Sequence, residues 1–394
     1  MASWQDDLQF YSMHFMPYIH LPEDQKKYDS LWVDFPNKFF DPKKGHELYQ
    51  RYMAEMVLAD KLGYDGLVVN EHHNTVYSMM PVCTLMAAAL IPQTKQAKLC
   101  VYGVPLNLEM PNRLAEAYAM LDVMSGGRLE IAMPLGTGME YWANSMNPAT
   151  ARARFREALD VIIQAWTVPG PSTFQGDFFS YRYLNTWPQP LQKPHPKIAI
   201  VGTGSPETIQ IAAERGWAYS SVFVPIVQQE KTFRQLREQQ AKYGHEFTPD
   251  KAMMNVIVYV AESDEQAERE VKEHIRYYFE DTARTTPRYL APPGYISTEQ
   301  LRMRASAAAA HGGFDWDALT QQWRIVYGTP QRVAETLGKW CEAANSARPL
   351  LHHHIGDMPH WKVVKNMTLF AEEVIPRLRS STPVSRRPKA MAAE

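Results

Sequence analysis

The fold is constrained most by a recurrence: short apolar runs of β type alternate with longer stretches of helical period. The runs cover residues 8–16, 66–70, 98–104, 128–133, 197–201, 218–224, 255–260 and 350–355. Helical patterns fill the spaces between them, as at 46–62, 113–124, 152–166, 206–215 and 331–344. Strands that are apolar on both faces, separated by amphipathic helices, belong to a parallel sheet built from βαβ units. Eight such strands are the number a closed barrel needs, so the expected fold is α/β, a (β/α)8 TIM barrel. A doubly wound open sheet is the alternative.

A chain of 394 residues accommodates one such barrel with insertions, read here as a single domain over residues 1–379. Two segments break the repeat. Residues 174–195 are rich in proline and aromatics and read as a long ordered connection. Residues 275–324, between the seventh and eighth strands, read as an insertion that suits a lid or an oligomer contact. The tail at 380–394 has a disordered composition.

The net charge of -2 carries no electrostatic footprint for nucleic acid or an anionic membrane. Apolar runs are too short to span a bilayer, and "MASWQDDLQF" has no hydrophobic signal core. Cys83, Cys100 and Cys341 show no paired spacing, so reduced thiols in a cytoplasm are expected. Twenty Met, 10 Trp, 20 Tyr and 15 Phe provide soft, flat apolar surface suited to an apolar ligand pocket.

Three motifs carry candidate chemistry. In "KIAIVGTGSPETIQIAAERG" a strand ends at Gly202-Thr203-Gly204, and Ser205-Pro206 opens a helix. Small residues there let one phosphate approach the helix N-terminus, with Ser205 and Thr208 as hydroxyl donors. The same residues also read as an ordinary capped βα turn. In "VVNEHHNTVYSMM", strand alternation carried past Asn70 puts Asn70 and His72 on one face and Glu71 on the other. One imidazole then faces a barrel mouth, where it suits proton transfer, with Glu71 or His73 orienting it. A plain strand cap is the bland reading. In "LLHHHIGDMPHW", His352 and His354 form an HxH pair that could bind a metal, beside His353 and His360. A metal-dependent barrel hydrolase is therefore a rival class, although Pro134, Gly202 and Val224 end other strands as poor ligands.

Taken together, "NEHHN", "PNRLAEAYAMLDVMSGGRLEIAM", "ARFREALDVIIQAW", "IAIVGTGSPETIQIAAERG" and "KNMTLFAEEVIPRLR" resemble the bacterial luciferase-like flavin monooxygenase superfamily from about residue 10 to 379. The resemblance implies a (β/α)8 barrel and reduced FMN supplied by a separate flavin reductase. It also implies oxygenation of a small apolar or aromatic substrate by dioxygen through a flavin peroxide. By resemblance His72 is the catalytic histidine, with Glu71 fixing its ring. Gly204, Ser205 and Thr208 would take the flavin phosphate. Gly103 matches a third-strand bulge beside the flavin ring, where a cis peptide is expected at Tyr102-Gly103. His14, Tyr141 and Trp142 are candidates for the substrate wall, and a homo-oligomer is implied. Many relatives hold the phosphate with an arginine where this chain has Leu135, which shifts the counter-charge to another arginine such as Arg182. A deazaflavin branch that transfers hydride shares the barrel and is the alternative within the same fold.

Overall fold

The apolar runs do pair in parallel, and the computed structural model, which describes residues 4–295, 314–321 and 325–380, closes them into a ring. In chain order the strands are β1 Tyr11–His14, β2 Gly66–Asn70, β3 Lys98–Tyr102, β4 Leu129–Pro134, β5 Ser172–Gln175, β6 Ser180–Leu184, β7 Lys197–Gly202, β8 Ala218–Ser221, β9 Ala252–Val260, β10 Ile325–Gly328 and β11 Arg348–His352. Strands β1, β2, β3, β4, β7, β8, β9 and β11 lie side by side in parallel. Pairing of β9 with both β8 and β11 completes the barrel. The chain is thus an α/β protein with a closed eight-stranded TIM-type barrel, and the open sheet is excluded.

Outside the ring run α1 Pro42–Lys61, α2 Cys83–Leu90, α3 Pro111–Met124, α4 Gly138–Ala143, α5 Ala151–Thr167, α6 Pro206–Glu214, α7 Ile226–Lys242 and α8 Asp264–Tyr277. Two later helices, Pro330–Ala344 and His360–Leu369, continue the layer. Every residue of β2 and β9 is buried, which is why these strands read as continuous apolar runs. Each large aliphatic side chain buried there contributes roughly 1.5–3 kcal/mol. Local signals start the helices as their sequences suggest. Asp41 accepts from the Lys43 amide at 2.8 Å with Pro42 in the first turn, and Ser263 caps α8.

Two elements depart from expectation. The connection at 174–195 contains an antiparallel hairpin, β5 with β6, before its proline-rich return. Glu157 of α5 accepts the amides of Asp177, Phe178 and Phe179 at 2.9, 2.9 and 2.6 Å, which pins the hairpin turn to the barrel wall. A ninth parallel strand, β10, was not anticipated. Residues Met253–Ile257 of the long β9 pair with β11, and Ile257–Val260 then pair with Ile325–Gly328. Of the expected insertion, residues 296–313 and 322–324 lie outside the described residues. A short helix, α9 Pro287–Leu290, packs against α4. Ser380 ends the helix Ile375–Ser380, whereas 381–394 lie outside the described residues. Among the described residues no helix is long and apolar enough to cross a membrane.

Candidate active site

The C-terminal strand ends meet around one cavity of about 310 Å³. Asn70 from β2, Tyr102 from β3 and Gly103 just after it, Pro134 from β4, Val201 and Gly202 from β7 and Phe223 after β8 all line it. This is the end at which barrel enzymes build their sites, and the volume is that of a small-molecule pocket.

His72 lines the cavity, and its Nδ1 lies 2.8 Å from Oε1 of Glu140, which is 2% exposed. The other oxygen of Glu140 accepts from the Thr137 amide at 2.6 Å. A carboxylate fixed by a backbone donor at the start of α4 therefore fixes the ring. Trp32 and Tyr77 meet the imidazole edge-on, with centroids at 5.2 and 5.0 Å.

Glu71 does not take the orienting role expected of it. The strand stops at Asn70, so alternation does not continue, and buried Glu71 joins Asn70 and His72 at the cavity wall. Its oxygens bond His73 at 3.3 Å and accept from the Cys83 amide at 2.9 Å, at the start of α2. The bond to Glu71 raises the His73 pKa above the usual imidazole value, against burial. Sequence reading missed Glu140. The signal was present in "TGME", a Thr-x-x-Glu capping box at residues 137–140.

Gly103 lines the cavity with φ +133°, and a Cβ there would stand 2.8 Å from the Glu71 amide nitrogen. The expected cis bond at Tyr102-Gly103 is absent. Among the described residues the cis bonds are Gly170-Pro171, Trp187-Pro188 and Lys193-Pro194. Glycine's freedom at positive φ makes the bend without a cis peptide, and the Gly103 amide still donates to the Ala132 carbonyl at 3.0 Å.

Ser205 and Thr208 line the cavity, their hydroxyls 2.8 Å apart, and Thr208 Oγ1 lies 3.0 Å from the Tyr219 hydroxyl. Gly204 lies behind them with φ +92°, its amide donating to Tyr219 at 3.0 Å, and shapes the turn without lining the cavity. Leu135 is at the cavity wall. The cation near this turn is Arg152, in the first turn of α5, with Nε 2.5 Å from Glu207 in the first turn of α6. Arg182 is exposed on the β5–β6 hairpin and does not line the cavity.

The three substrate-wall candidates do not line the cavity. Tyr141 is buried behind it, donating to the Leu135 carbonyl at 2.6 Å and accepting from Asn107 at 2.7 Å. Trp142 donates to the Arg288 carbonyl at 3.0 Å. His14 is buried in the wall between β1 and α1, with Nε2 2.8 Å from Glu55. The wall residues are instead Met13, Phe15, Tyr77, Val201, Phe223 and Leu290.

The triple histidine is also internal. His352 bonds Asn255 at 3.1 Å and lies between Phe15 and Phe223. Burial lowers His352 and His353 to about 3. Among the described residues, His14, Glu55 and His354 stand close enough together for a metal. Their geometry argues for a hydrogen-bonded core instead. The Met16 amide donates to His14 Nδ1 at 2.8 Å, which leaves the ring proton on Nε2 toward Glu55. His14 and His354 stack face to face at 4.6 Å. Burial would raise Glu55, but hydrogen bonds from His14 and His360 outweigh it and hold the carboxyl below its usual range.

The sequence and fold have clear relatives. The oxygenase component of a flavin-dependent trigonelline monooxygenase from Acinetobacter baylyi is 26% identical over 319 residues, covering 78% of this chain and 84% of that one. An uncharacterized protein from Sinorhizobium fredii is 29% identical over 176 residues, and the match spans 51% of its length. The oxygenating constituent of 3,6-diketocamphane monooxygenase from Pseudomonas putida, solved with FMN, superposes with a TM-score of 0.71 at 21% identity over 94% of this chain and 98% of that one. A secondary alcohol dehydrogenase dependent on F420, a deazaflavin, superposes at 0.66 and 17% identity over 94% and 99%. Residues 35–345 match the profile of one family, and on that match the chain belongs to the luciferase-like monooxygenases.

Proposed function

We propose that this protein is the oxygenase component of a two-component monooxygenase. It takes reduced FMN from a separate reductase and uses dioxygen to oxygenate a small, neutral, apolar or aromatic substrate. The observation that carries this reading is a single cavity combining two groups: an oriented imidazole, His72 on Glu140, and a hydroxyl-and-guanidinium set, Ser205, Thr208 and Arg152.

The residues present fit a flavin. A phosphate calls for charge-assisted donors at a helix start, and Ser205, Thr208 and Arg152 supply them. Asn70 Nδ2 is buried at the cavity without a hydrogen-bond partner, a donor suited to the polar edge of a ring system. Gly103 leaves room where any Cβ would strike backbone. Reduced FMN, when bound, supplies the electrons that activate dioxygen for transfer of one oxygen atom.

The protein's own work is proton handling, orientation and exclusion of water. With Nδ1 of His72 donating to Glu140, Nε2 is the atom that accepts and returns a proton in the cavity. Glu140 stabilises the imidazolium and fixes the tautomer, so it is a positioning residue. Met13, Phe15, Tyr77 and Phe223 supply an apolar wall that favours an uncharged substrate. Tyr295, in the described start of the insertion, donates to the Gly136 carbonyl at 2.7 Å and ties that segment across the cavity rim. A second copy is proposed to pack on the exposed Leu85, Met120, Val123 and Met124 of α2 and α3, an apolar face suited to a homo-oligomer.

The test is turnover under ¹⁸O₂ with a flavin reductase, FMN and a panel of cyclic ketones, terpenes and phenols. One labelled atom in a product supports the reading. Oxygen-independent reduction of a substrate by a reduced deazaflavin would replace it with hydride transfer.

A further inference from the structure

Away from the cavity, three side chains from separate elements converge in the order carboxylate, imidazole, amine. His274 lies in the last turn of α8, Asp357 in the loop after β11, and Lys362 in the first turn of the helix His360–Leu369. Asp357 Oδ1 lies 2.6 Å from His274 Nδ1, and His274 Nε2 lies 3.0 Å from Lys362 Nζ. Gly356, with φ +57°, permits this approach, because a Cβ there would collide with the His274 carbonyl. The Asp357 bond places the ring proton on Nδ1 and turns the Nε2 lone pair toward the amine. Nucleophile, base and orienting carboxylate are thus in the relation that activates a nucleophile.

The surroundings loosen the ammonium proton, although Nζ also donates to the Glu270 carbonyl at 2.8 Å. Burial lowers the Lys362 pKa and Lys365, one turn on, adds to this; Glu270 and Asp357 oppose without reversing it. A place in the first turn of a helix also disfavours a cation. Lys365 is the contrast: burial opposes its charge, but bonds to Glu262 and Glu270 outweigh it and raise the pKa.

We propose that Lys362 is a nucleophilic lysine and a site of acylation by small activated acyl donors, acyl phosphates or acyl thioesters, with His274 as its base. Nζ attacks the acyl carbon and an amide bond forms as the C–O or C–S bond breaks. The proton leaving nitrogen passes to His274 Nε2 and then to the departing phosphate or thiol. Asp357 is the positioning residue.

The full chain is incubated with acetyl phosphate and, separately, with acetyl-coenzyme A, and acetylation is timed at each lysine by peptide mass spectrometry. Exposed Lys43 on α1 sets the baseline for access alone. Lys362 is expected to react about a hundredfold faster than Lys43 and Lys365, the low end of what a positioned base contributes. His274→Gln and Asp357→Asn should bring it down to the Lys43 rate without changing Lys43. Reaction with only one donor supports the proposal and identifies the source. A Lys362 rate no higher than that of Lys43 in the unaltered protein overturns it, whatever the variants do. So does a rate unchanged in both variants.

Discussion

Replacing Arg152 with glutamine separates the phosphate's contribution from that of the flavin ring. Nε of Arg152 is engaged by Glu207 at 2.5 Å, and the side chain is 39% exposed, so solvent and the ion pair both weaken its pull on a phosphate. The low end of the range for a charge-assisted bond, about 1.5 kcal/mol, is therefore appropriate, or roughly tenfold in Kd. Anaerobic titrations with dithionite-reduced FMN and reduced riboflavin provide the assay, because riboflavin has no phosphate. The Arg152→Gln variant should lose about tenfold in FMN affinity and less than about twofold in riboflavin affinity. The difference should shrink as salt rises. Removing the arginine also leaves Glu207 unpaired and repelling the phosphate, so Glu207→Gln in the same chain should restore part of the loss. Equal losses for FMN and riboflavin, or none for either, would refute this assignment.

Other perturbations test the remaining parts. Glu140→Gln leaves one oxygen for two donors, Thr137 N and His72 Nδ1; turnover should fall about 10²–10⁴-fold with reduced-FMN affinity nearly unchanged. Retained turnover would remove Glu140 from its role. Gly103→Ala should lower thermal stability by about 1–3 kcal/mol and weaken flavin binding, since positive φ and the Glu71 amide both oppose a methyl group. Wild-type melting and affinity would count against the close approach. His353 lies between Tyr64 and Phe370, and burial lowers it from 6.5 to about 3. Unfolded chains therefore bind more protons between those values, so its stabilisation is full above about 6.5 and lost as pH falls toward about 3. His353→Phe should spare about 2 kcal/mol of the loss between pH 7 and 5 in urea unfolding. An unchanged acid slope would contradict a buried neutral ring.

Much of the barrel was legible because strands buried on both faces must be apolar throughout, and eight such runs stood out. The strand β10 was not, since four residues following an insertion carry no period, and its pairing depends on β9 outrunning its neighbours. In the site, His72, Gly103, Ser205 and Thr208 were placed at strand ends, where position in the barrel decides exposure. Glu140 was visible only as a helix cap, because nothing local says that its second oxygen faces a histidine 68 residues away. Arg152 at the cavity was hidden for the same reason, although the resemblance, with Leu135 in place of an arginine, pointed to a cation elsewhere. Tyr141 and Trp142 were misplaced because each step along α4 turns a side chain by about 100°, so the neighbours of a cavity residue point away from it. His14 ends a strand as expected but turns into the wall, where Glu55 of α1 holds it.

The most direct measurement is anaerobic titration of the purified protein with reduced FMN, set against the same titration with reduced F420. Saturable one-to-one binding of reduced FMN, competed by inorganic phosphate and retained in His72→Ala, is the expected result. Saturation by the reduced deazaflavin with no uptake of reduced FMN would contradict the monooxygenase reading of this cavity.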